Sequence, residues 1–445
     1  MTVLVVITSL SASNLIAGSQ AHWYCMMQAR ARPAFAHPPL PRTSDSRRRS
    51  MLFEQPVLRT DHVKEEDGSS PLTASAATRS GGVGAYILVV GGMQDLTDYQ
   101  GPELPPGDDT IFVAEKYSTP TSETAGCGVG RGLDEWVRGP SLVGGPRSFV
   151  SAAAWQDCVV VFGGFDASGP CRTIMWFDAN AGSAWRRAAS LDLKTPRACS
   201  GAACLGERFY LVGGCHKTLR DSSDSVISLD ARLIAQAHRE AAAVGLGTIG
   251  EECRQTEGGW RQEANLKRAR ARHAVVAAQG KLWAIGGHSA GVLLDSVEWL
   301  DPLAADAQWQ EEAALQLPFG RLGMAAAVAG GRLYILGGYG GAQSQQERQE
   351  QLASVLSIDL VEHGAGWRQE PPMLTGRSGH CAIAAGSIIY VLGGADSQGR
   401  KMGTTEMFDT VLGVWSHGPS LAQPRFAATA VIMGGNKVAT EDATA

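Results

Sequence analysis

The sequence lacks the signatures that mark most metal centres and membrane spans. None of the nine cysteines forms a CxxC pair, and no HExxH motif occurs. The ten histidines are dispersed, without a pair at metal-binding spacing. No stretch approaches the roughly 18 consecutive apolar residues that a membrane-spanning helix needs. Neither a metal site, a catalytic residue nor a membrane span is therefore predicted.

Lysine is scarce, with 8 residues against 31 arginines, and the net charge is −5. Nucleic-acid binding is excluded on this balance, because such proteins carry a dominant basic surface. The odd number and scatter of the cysteines argue against a disulfide framework and predict buried, reduced thiols.

Residues 1–80 show no pattern of a folded domain. The first acidic residue is Asp45, whereas Arg30, Arg32 and Arg42 precede it, as in organelle transit peptides. The alternative is a disordered leader, with Met51 as the true start. Residues 1–80 are predicted to be a disordered leader and linker, and residues 438–445 a disordered tail. A cytoplasmic or nuclear location is expected, with organelle import as the alternative.

An internal repeat begins near residue 83 and recurs six times. Each repeat has an apolar strand that ends in a glycine doublet, followed by a tryptophan and then by an arginine that opens an Ala/Val-rich strand. The doublets are Gly91-Gly92, Gly163-Gly164, Gly213-Gly214, Gly286-Gly287, Gly337-Gly338 and Gly393-Gly394. The tryptophans are Trp136, Trp185, Trp260, Trp309, Trp367 and Trp415. The arginines are Arg147, Arg197, Arg272, Arg321, Arg377 and Arg425.

A short strand lies between doublet and tryptophan, and in five repeats it ends in aspartate, a residue suited to turns. These aspartates are Asp178, Asp230, Asp301, Asp359 and Asp409. The first repeat has TIFVA (110–114) at this place, without the aspartate. Residues 231–247 in the third repeat have helix-forming composition and predict a short helix.

Repeats of about 50 residues with four strands each are typical of β-propellers, in which neighbouring sheets share their apolar faces. The last segment, RFAATAVIM (425–433), supplies a first strand to a sheet whose other strands begin at Tyr86. The doublet Gly434-Gly435 is then an inter-strand turn, so six blades are predicted and not seven.

The order of glycine doublet, aspartate, tryptophan and arginine resembles the kelch repeat, and the resemblance covers about residues 83–437. It implies an all-β fold, a six-bladed kelch propeller over residues 81–437. It also implies a non-catalytic scaffold that binds a protein segment, including substrate adaptors that act in a ubiquitin-ligase pathway through a BTB or F-box module. Residues 1–80 show neither module.

In this family, residues after the doublets and near the arginines line the mouth of the ring. The positions predicted on this basis to bind a partner are Arg147, Arg197, Arg272, Arg321, Arg377, Arg425, His288, Tyr339 and Ser378. Exposed arginines would suit an acidic peptide segment through bidentate contacts with carboxylates. The alternative is that the arginines are framework residues that bond to carbonyls.

An enzymatic hypothesis remains beside the scaffold. Some kelch-like proteins are mutarotases or metal-dependent specifier proteins that use the propeller mouth. The E-x-x-x-D-x-x-x-H iron pattern of the specifier proteins does not occur in this chain. No cofactor is predicted, and the oligomeric state is left open.

Overall fold

The computed structural model describes residues 86–93, 113–118, 136–145, 147–178, 184–244, 259–341, 350–362, 364 and 366–433. Residues 82–445 form one compact unit. The predicted leader and linker at 1–80, the tail at 438–445 and the turn at Gly434-Gly435 lie outside the described residues.

Six antiparallel sheets follow one another along the chain, and we number them sheet 1 to sheet 6. Sheet 1 contains Phe426–Met433, Tyr86–Met93, Val113–Ser118 and Val137–Ser141. Sheet 2 contains Ser151–Trp155, Cys158–Phe162 and Ile174–Asp178. Sheet 3 contains Gly201–Leu205, Arg208–Val212, Val226–Asp230 and Trp260–Gln262. Sheet 4 contains Ala274–Ala278, Lys281–Ile285, Val297–Leu300 and Gln310–Glu311. Sheet 5 contains Ala325–Ala329, Arg332–Leu336, Val355–Asp359 and Arg368–Glu370. Sheet 6 contains Cys381–Ala385, Ile388–Leu392, Thr405–Asp409 and Val414–Gly418.

Two short strand pairs and one short three-stranded sheet lie next to glycine doublets. They are Phe165–Asp166 with Gly169–Pro170, His288–Ser289 with Val292–Leu293, and Arg321–Leu322 with Tyr339–Gly340 and Glu350–Gln351. Two 3-10 turns, Ala189–Leu191 and Ala313–Leu315, complete the secondary structure together with one helix, Ala231–Val244. The fold is therefore all-β with a single helical insertion among the described residues.

Sheet 1 joins the two ends of the repeat region. Phe426–Met433 pairs antiparallel with Tyr86–Met93, in a register that runs from Tyr86 opposite Met433 to Met93 opposite Phe426. The predicted pairing of the last segment with the first repeat is confirmed. The next strand, Val113–Ser118, places Ser118 opposite Tyr86 and overlaps the predicted 110–114, of which residues 110–112 lie outside the described residues.

The core consists of apolar layers between successive sheets. Val90 and Leu88 of sheet 1 pack with Val159 and Val161 of sheet 2, and equivalent clusters lie between each later pair. Another cluster joins Tyr390 and other residues of sheet 6 to sheet 1. Because each sheet has both faces covered in this way, its strands are apolar on both sides.

The repeated tryptophans connect each sheet to the one before it. Every indole N–H donates a hydrogen bond to a backbone carbonyl of the preceding repeat, which satisfies the polar atom of a large apolar side chain. The pairs are Trp136 to Pro419 (3.0 Å), Trp185 to Pro140 (3.1 Å), Trp260 to Leu191 (2.9 Å), Trp309 to Ala264 (3.0 Å), Trp367 to Leu315 (2.8 Å) and Trp415 to Pro371 (2.8 Å).

The glycine doublets connect each sheet to the one after it. Both glycines of every doublet have φ between +55° and +100°, which an L side chain rarely adopts. The second glycine donates its N–H to the carbonyl of the arginine at the next sheet. These pairs are Gly92 to Arg147, Gly164 to Arg197, Gly214 to Arg270, Gly287 to Arg321, Gly338 to Arg377 and Gly394 to Arg425, at 2.7–3.0 Å.

The predicted helix is confirmed at Ala231–Val244. The Asp230 carboxylate accepts a hydrogen bond from the Arg232 N–H at 2.9 Å and so caps the first turn. Ala231, Ile234 and Ala237 pack into the apolar layer between sheets 2 and 3. The insertion is therefore an outer extension of these two sheets.

Candidate functional site

The repeated arginines are buried just before the first strands of the sheets and bond to the glycine doublets. Arg147, Arg197, Arg321, Arg377 and Arg425 are 0–3% exposed. Each donates through Nη1 to the carbonyl of the first glycine of a doublet. The pairs are Arg147 to Gly163 (3.4 Å), Arg197 to Gly213 (3.1 Å), Arg321 to Gly337 (3.2 Å), Arg377 to Gly393 (2.9 Å) and Arg425 to Gly91 (3.0 Å). These contacts support the framework alternative, and partner binding by these five side chains remains a prediction.

The arginine of the fourth repeat is Arg270, and the assignment of Arg272 to this place was wrong. Arg270 is fully buried and donates to the Gly286 carbonyl at 2.9 Å. Its separation from the doublet is 16 residues, the value found for Arg147, Arg197, Arg321 and Arg377. The Ala-rich strand begins two residues after Arg272, which made that residue look like the opening arginine.

Two of the framework arginines form buried ion pairs. Arg270 contacts Glu298 at 2.5 Å, and Arg377 contacts Glu406, with 0–1% of these side chains exposed. The Glu298 carboxylate also accepts hydrogen bonds from the backbone N–H groups of Lys267 (2.7 Å) and Arg268 (3.1 Å). The ion pairs are thus satisfied within sheets 4 and 6 and belong to the framework.

A ring of backbone hydrogen bonds connects the six residues that lie two positions after the framework arginines. We call these residues the central ring. The bonds run from Phe149 N–H to the Ala427 carbonyl, Cys199 to Phe149, Arg272 to Cys199, Gly323 to Arg272, Gly379 to Gly323 and Ala427 to Gly379, at 2.7–3.1 Å. All six residues have φ between +53° and +62°. The circuit therefore joins the starts of the first strands of all six sheets.

Aromatic and cationic side chains gather beside the central ring. Phe149 makes edge contacts with Phe165 and Phe426, with centroids 6.2 and 5.9 Å apart. The Arg272 guanidinium lies 5.3 Å from the Phe149 centroid, and the Lys401 ammonium lies 5.1 Å from the Phe426 centroid. These five residues, which we call the central cluster, combine apolar surface with two positive charges.

The glycines of the ring allow close packing around this cluster. A Cβ on Gly379 would lie 2.2 Å from the Phe426 ring, so the aromatic ring occupies the position of a side chain. A Cβ on Gly323 would lie 3.3 Å from the backbone nitrogen of Gly379. Apart from Phe165, which is 8% exposed, the members of the central cluster are half-buried and accessible to a partner.

Of the remaining predicted positions, His288 and Tyr339 directly follow glycine doublets, and Ser378 directly follows Arg377. His288 is 3% exposed and pairs with Ala271, Tyr339 is half-buried and pairs with Leu322, and Ser378 is 3% exposed and pairs with Ala395. They therefore occupy the same level of three sheets. Their role in binding remains a prediction.

Three histidines near the arginines are held neutral by burial. Burial and the nearby Arg272 lower the pKa of His288 to about 4, and burial and Arg377 lower the pKa of His380 to about 3. The pKa of His273 lies well below its ordinary value, through burial and Arg270.

We predict that acid destabilises the fold through these histidines. Their folded pKa values are depressed, so their contribution is complete above the unfolded value of about 6.5 and falls as the pH drops towards 4. Each residue contributes at most about 1.4 kcal/mol per pH unit in this window. Denaturant unfolding from pH 7 to pH 4.5 should show a shallower fall for His380→Gln than for the unsubstituted chain. If the unfolding free energy falls equally steeply with pH in both proteins, His380 is not a source of the acid sensitivity.

The described residues hold no group of three or more His, Cys, Asp or Glu side chains that could bind a metal ion. A search of the same residues finds no helix long and apolar enough to span a membrane. A cavity of about 460 Å³ lies at the outer edge of sheet 4, lined by Lys281, Trp299, Asp301 and other polar residues. It is separate from the central cluster.

Phe149, Phe426 and Lys401 were missed by the sequence reasoning. The constant 16-residue step from arginine to doublet would have placed Arg270 in the framework. It would then have aligned Phe149, Cys199 and Arg272 as equivalent positions. No sequence signal marks Lys401, because it reaches Phe426 from another loop of the chain.

Comparison with known proteins identifies the repeat. A family model of the kelch motif matches residues 146–191, 269–315 and 376–422, which begin just before Arg147, Arg270 and Arg377. These are the repeats of sheets 2, 4 and 6.

Several curated proteins are similar over parts of the chain. Beta-scruin from Limulus polyphemus is 28% identical over 182 residues, 39% of this chain and 19% of scruin. Human Kelch-like protein 33 is 38% identical over 100 residues, 22% and 17% of the two chains. Human Kelch repeat and BTB domain-containing protein 13 is 25% identical over 247 residues, 55% and 45%. The matched part thus spans less than half of each relative.

The solved structure of YjhT shares the fold. It superposes with a TM-score of 0.52 at 15% identity and covers 68% of this chain and 90% of YjhT. At this identity the likeness concerns the fold alone. Together with the repeated glycine doublets, tryptophans and arginines, these matches show that the chain contains kelch repeats and shares the β-propeller type of fold.

Proposed function

We propose that this chain is a non-catalytic protein-interaction module that holds a partner segment over the central ring. The central cluster is the observation that carries the proposal. Half-buried aromatic side chains and two cations lie together beside the central ring. Aromatic residues and arginine are the side chains most enriched in the energetically important parts of protein interfaces.

We infer that the six sheets are the blades of one closed propeller. Four independent circuits support closure: the central ring, the indole bonds, the doublet-to-arginine bonds and the apolar layers. In each circuit the link from sheet 6 to sheet 1 has the same form as the others. Closure makes the scaffold rigid and leaves no open sheet edge between the first and last repeats.

The partner chemistry that fits best is an acidic segment. Among the described residues, no carboxylate lies within ion-pair distance of Arg272. Its guanidinium is held over the Phe149 ring and can donate two parallel hydrogen bonds to a carboxylate. Lys401 supplies a second charge on the other side of the aromatic group.

An adaptor role in a ubiquitin-ligase pathway, in the cytoplasm or nucleus, is the more specific form of this proposal. One relative is named for kelch repeats together with a BTB domain.

Peptide binding tests the proposed site. We expect fluorescence anisotropy to show that the full chain binds acidic peptides with aromatic or aliphatic neighbours more tightly than basic peptides of matched length. Arg272→Gln with Lys401→Gln should weaken binding at least about tenfold, since each charged contact is worth about 1 kcal/mol or more. Lys281→Gln is the matched control, because Lys281 also lies over an aromatic ring, Trp299, at 3.9 Å.

The proposed site is contradicted if Lys281→Gln weakens peptide binding as much as the double variant does. It is also contradicted if acidic and basic peptides bind with equal affinity. The enzymatic alternative predicts turnover or a bound small molecule instead. The cavity at the edge of sheet 4 offers the place where such a ligand would be sought.

A further inference from the structure

The cavity at the outer edge of sheet 4 carries an excess of negative charge. Its charged lining residues are Asp301, Asp306, Glu311, Glu312 and Lys281. Glu311 has an ion-pair partner, the Arg268 side chain at 3.5 Å. Within the part of the chain that the structure describes, the carboxylates of Asp301, Asp306 and Glu312 have no cationic side chain within 4.0 Å.

The equivalent place in sheets 3 and 5 holds an arginine beside a glutamate. In sheet 3, the Arg261 guanidinium lies 3.6 Å from the Glu263 carboxylate. In sheet 5, the Arg368 guanidinium lies 3.4 Å from the Glu370 carboxylate. The chain therefore provides a guanidinium for this carboxylate in two sheets.

Sheet 4 has a glutamine where its neighbours have that arginine. Gln310 lies opposite Trp299 on the adjacent strand. The pairs in the same register are Arg261 opposite Ser228 in sheet 3 and Arg368 opposite Ser357 in sheet 5. Glu312 follows Gln310 by two residues, so it is the counterpart of Glu263 and Glu370 without their arginine.

The repeated aspartates show the same difference. The Asp230 carboxylate pairs with Arg232 at 2.6 Å in sheet 3, and the Asp359 carboxylate pairs with Arg332 at 3.7 Å in sheet 5. Lys281 begins the second strand of sheet 4, as Arg332 begins that of sheet 5. The Lys281 ammonium lies over the Trp299 ring, 3.9 Å from its centroid, and Asp301 is left without a cation.

Apolar side chains border these carboxylates. Trp299 lines the cavity and is half-buried, and Leu303 is 89% exposed. The Asp301 carboxylate accepts a hydrogen bond from the Leu303 N–H at 2.9 Å, which holds the leucine next to the cavity. A volume of about 460 Å³ lies within the range of ligand-binding pockets. The cavity thus combines unpaired negative charge with apolar surface.

We propose that this cavity binds an arginine side chain from a partner segment in which an aliphatic residue follows the arginine. The bound guanidinium takes the place that the chain's own arginines occupy in sheets 3 and 5, and it donates hydrogen bonds to the carboxylates of Asp301 and Glu312. Its planar fork of N–H groups matches carboxylates better than an ammonium group does. The aliphatic neighbour covers Leu303. The site goes beyond the proposed function, because it shares no residue with the central cluster and selects the opposite charge.

Fluorescence anisotropy with the full chain tests this site. The probe is a labelled peptide that carries one Arg-Leu pair between glycine and serine residues, and the same peptide with citrulline in place of arginine is the uncharged comparison. We expect the arginine peptide to bind with a Kd below about 1 mM and the citrulline peptide to bind at least about tenfold more weakly. Added salt should weaken binding of the arginine peptide, because the cavity is open to solvent.

Two substitutions remove the charges and keep the local hydrogen bonds. Asp301→Asn retains the oxygen that accepts the Leu303 N–H, and Glu312→Gln retains the one that accepts the Trp299 indole N–H at 2.8 Å. Together they should weaken binding of the arginine peptide at least about tenfold. Gln310→Arg should also abolish binding, because it supplies the missing guanidinium from the chain itself.

Asp409→Asn is the matched control. Asp409 ends the third strand of sheet 6, and its carboxylate accepts the Val411 N–H at 2.9 Å, as Asp301 does for Leu303. Sheet 6 has Gly418 at the place of Glu312 and so lacks the second carboxylate. Asp409→Asn should therefore leave the affinity for the arginine peptide unchanged.

The proposal is overturned if the arginine peptide does not bind, or if Asp409→Asn weakens binding as much as the double variant does. It is also overturned if free arginine binds as tightly as the peptide, since the cavity would then be a small-molecule site. Circular dichroism of each variant establishes that the comparison concerns folded protein.

Discussion

Arg270→Ala should lower the free energy of unfolding by about 3–5 kcal/mol, because it leaves the Glu298 carboxylate buried without its cation. Both side chains are 0% exposed and lie 2.5 Å apart. The variant also loses the hydrogen bonds from Arg270 to the Gly286 and Ser296 carbonyls, at 2.9 and 3.1 Å. Urea unfolding followed by tryptophan fluorescence measures the change.

Two nearby arginines provide the controls. Arg268 forms a more exposed ion pair with Glu311 at 3.5 Å, so Arg268→Ala should cost no more than about 1 kcal/mol. Arg272→Ala should also destabilise far less than Arg270→Ala, because Arg272 makes no bond to the doublet. If Arg272→Ala lowers the free energy of unfolding more than Arg270→Ala, Arg272 and not Arg270 is the framework arginine of the fourth repeat.

Gly163→Ala should be the most disruptive single-methyl change in sheet 2. The new Cβ would lie 2.0 Å from the Arg197 carbonyl oxygen, a backbone atom that moves only with its neighbours. The φ of +55° adds about 1–2 kcal/mol of strain for an L residue. With an overpacking cost of about 1–3 kcal/mol, the total loss is expected at about 2–5 kcal/mol.

Gly206→Ala is the matched control for that substitution. Gly206 has a similar φ of +60°, and a Cβ there would meet nothing within 4 Å. Only the conformational cost of about 1–2 kcal/mol is expected. Equal stability of the two variants in urea unfolding would show that the doublet does not require close backbone approach.

Much of the fold followed from the sequence because the repeated residues carry repeated contacts. Every glycine doublet has positive φ and a close approach to the next segment of backbone, a conformation that glycine alone adopts readily. Every repeated tryptophan packs in an apolar layer between sheets, and its indole N–H donates to a carbonyl of the preceding repeat. The apolar segment 425–433 predicted a strand beside Tyr86, because its pattern matches the other first strands.

The site could be predicted less well. Arg270 and Arg272 are separated by one residue, and composition alone does not distinguish a buried arginine from a half-buried one. The central cluster depends on contacts between distant segments, such as Lys401 with Phe426 and Arg272 with Phe149. Such contacts arise from the arrangement of sheets and leave no local pattern in the sequence.

Photo-crosslinking tests most directly whether partners bind over the central ring. Benzoylphenylalanine would replace Phe149 in one full-length chain and Trp299, at the outer edge of sheet 4, in another. With the acidic peptide that binds most tightly, we predict a crosslink from position 149 and none from position 299. A crosslink from position 299 alone would contradict the proposed function and place recognition at the edge of the propeller.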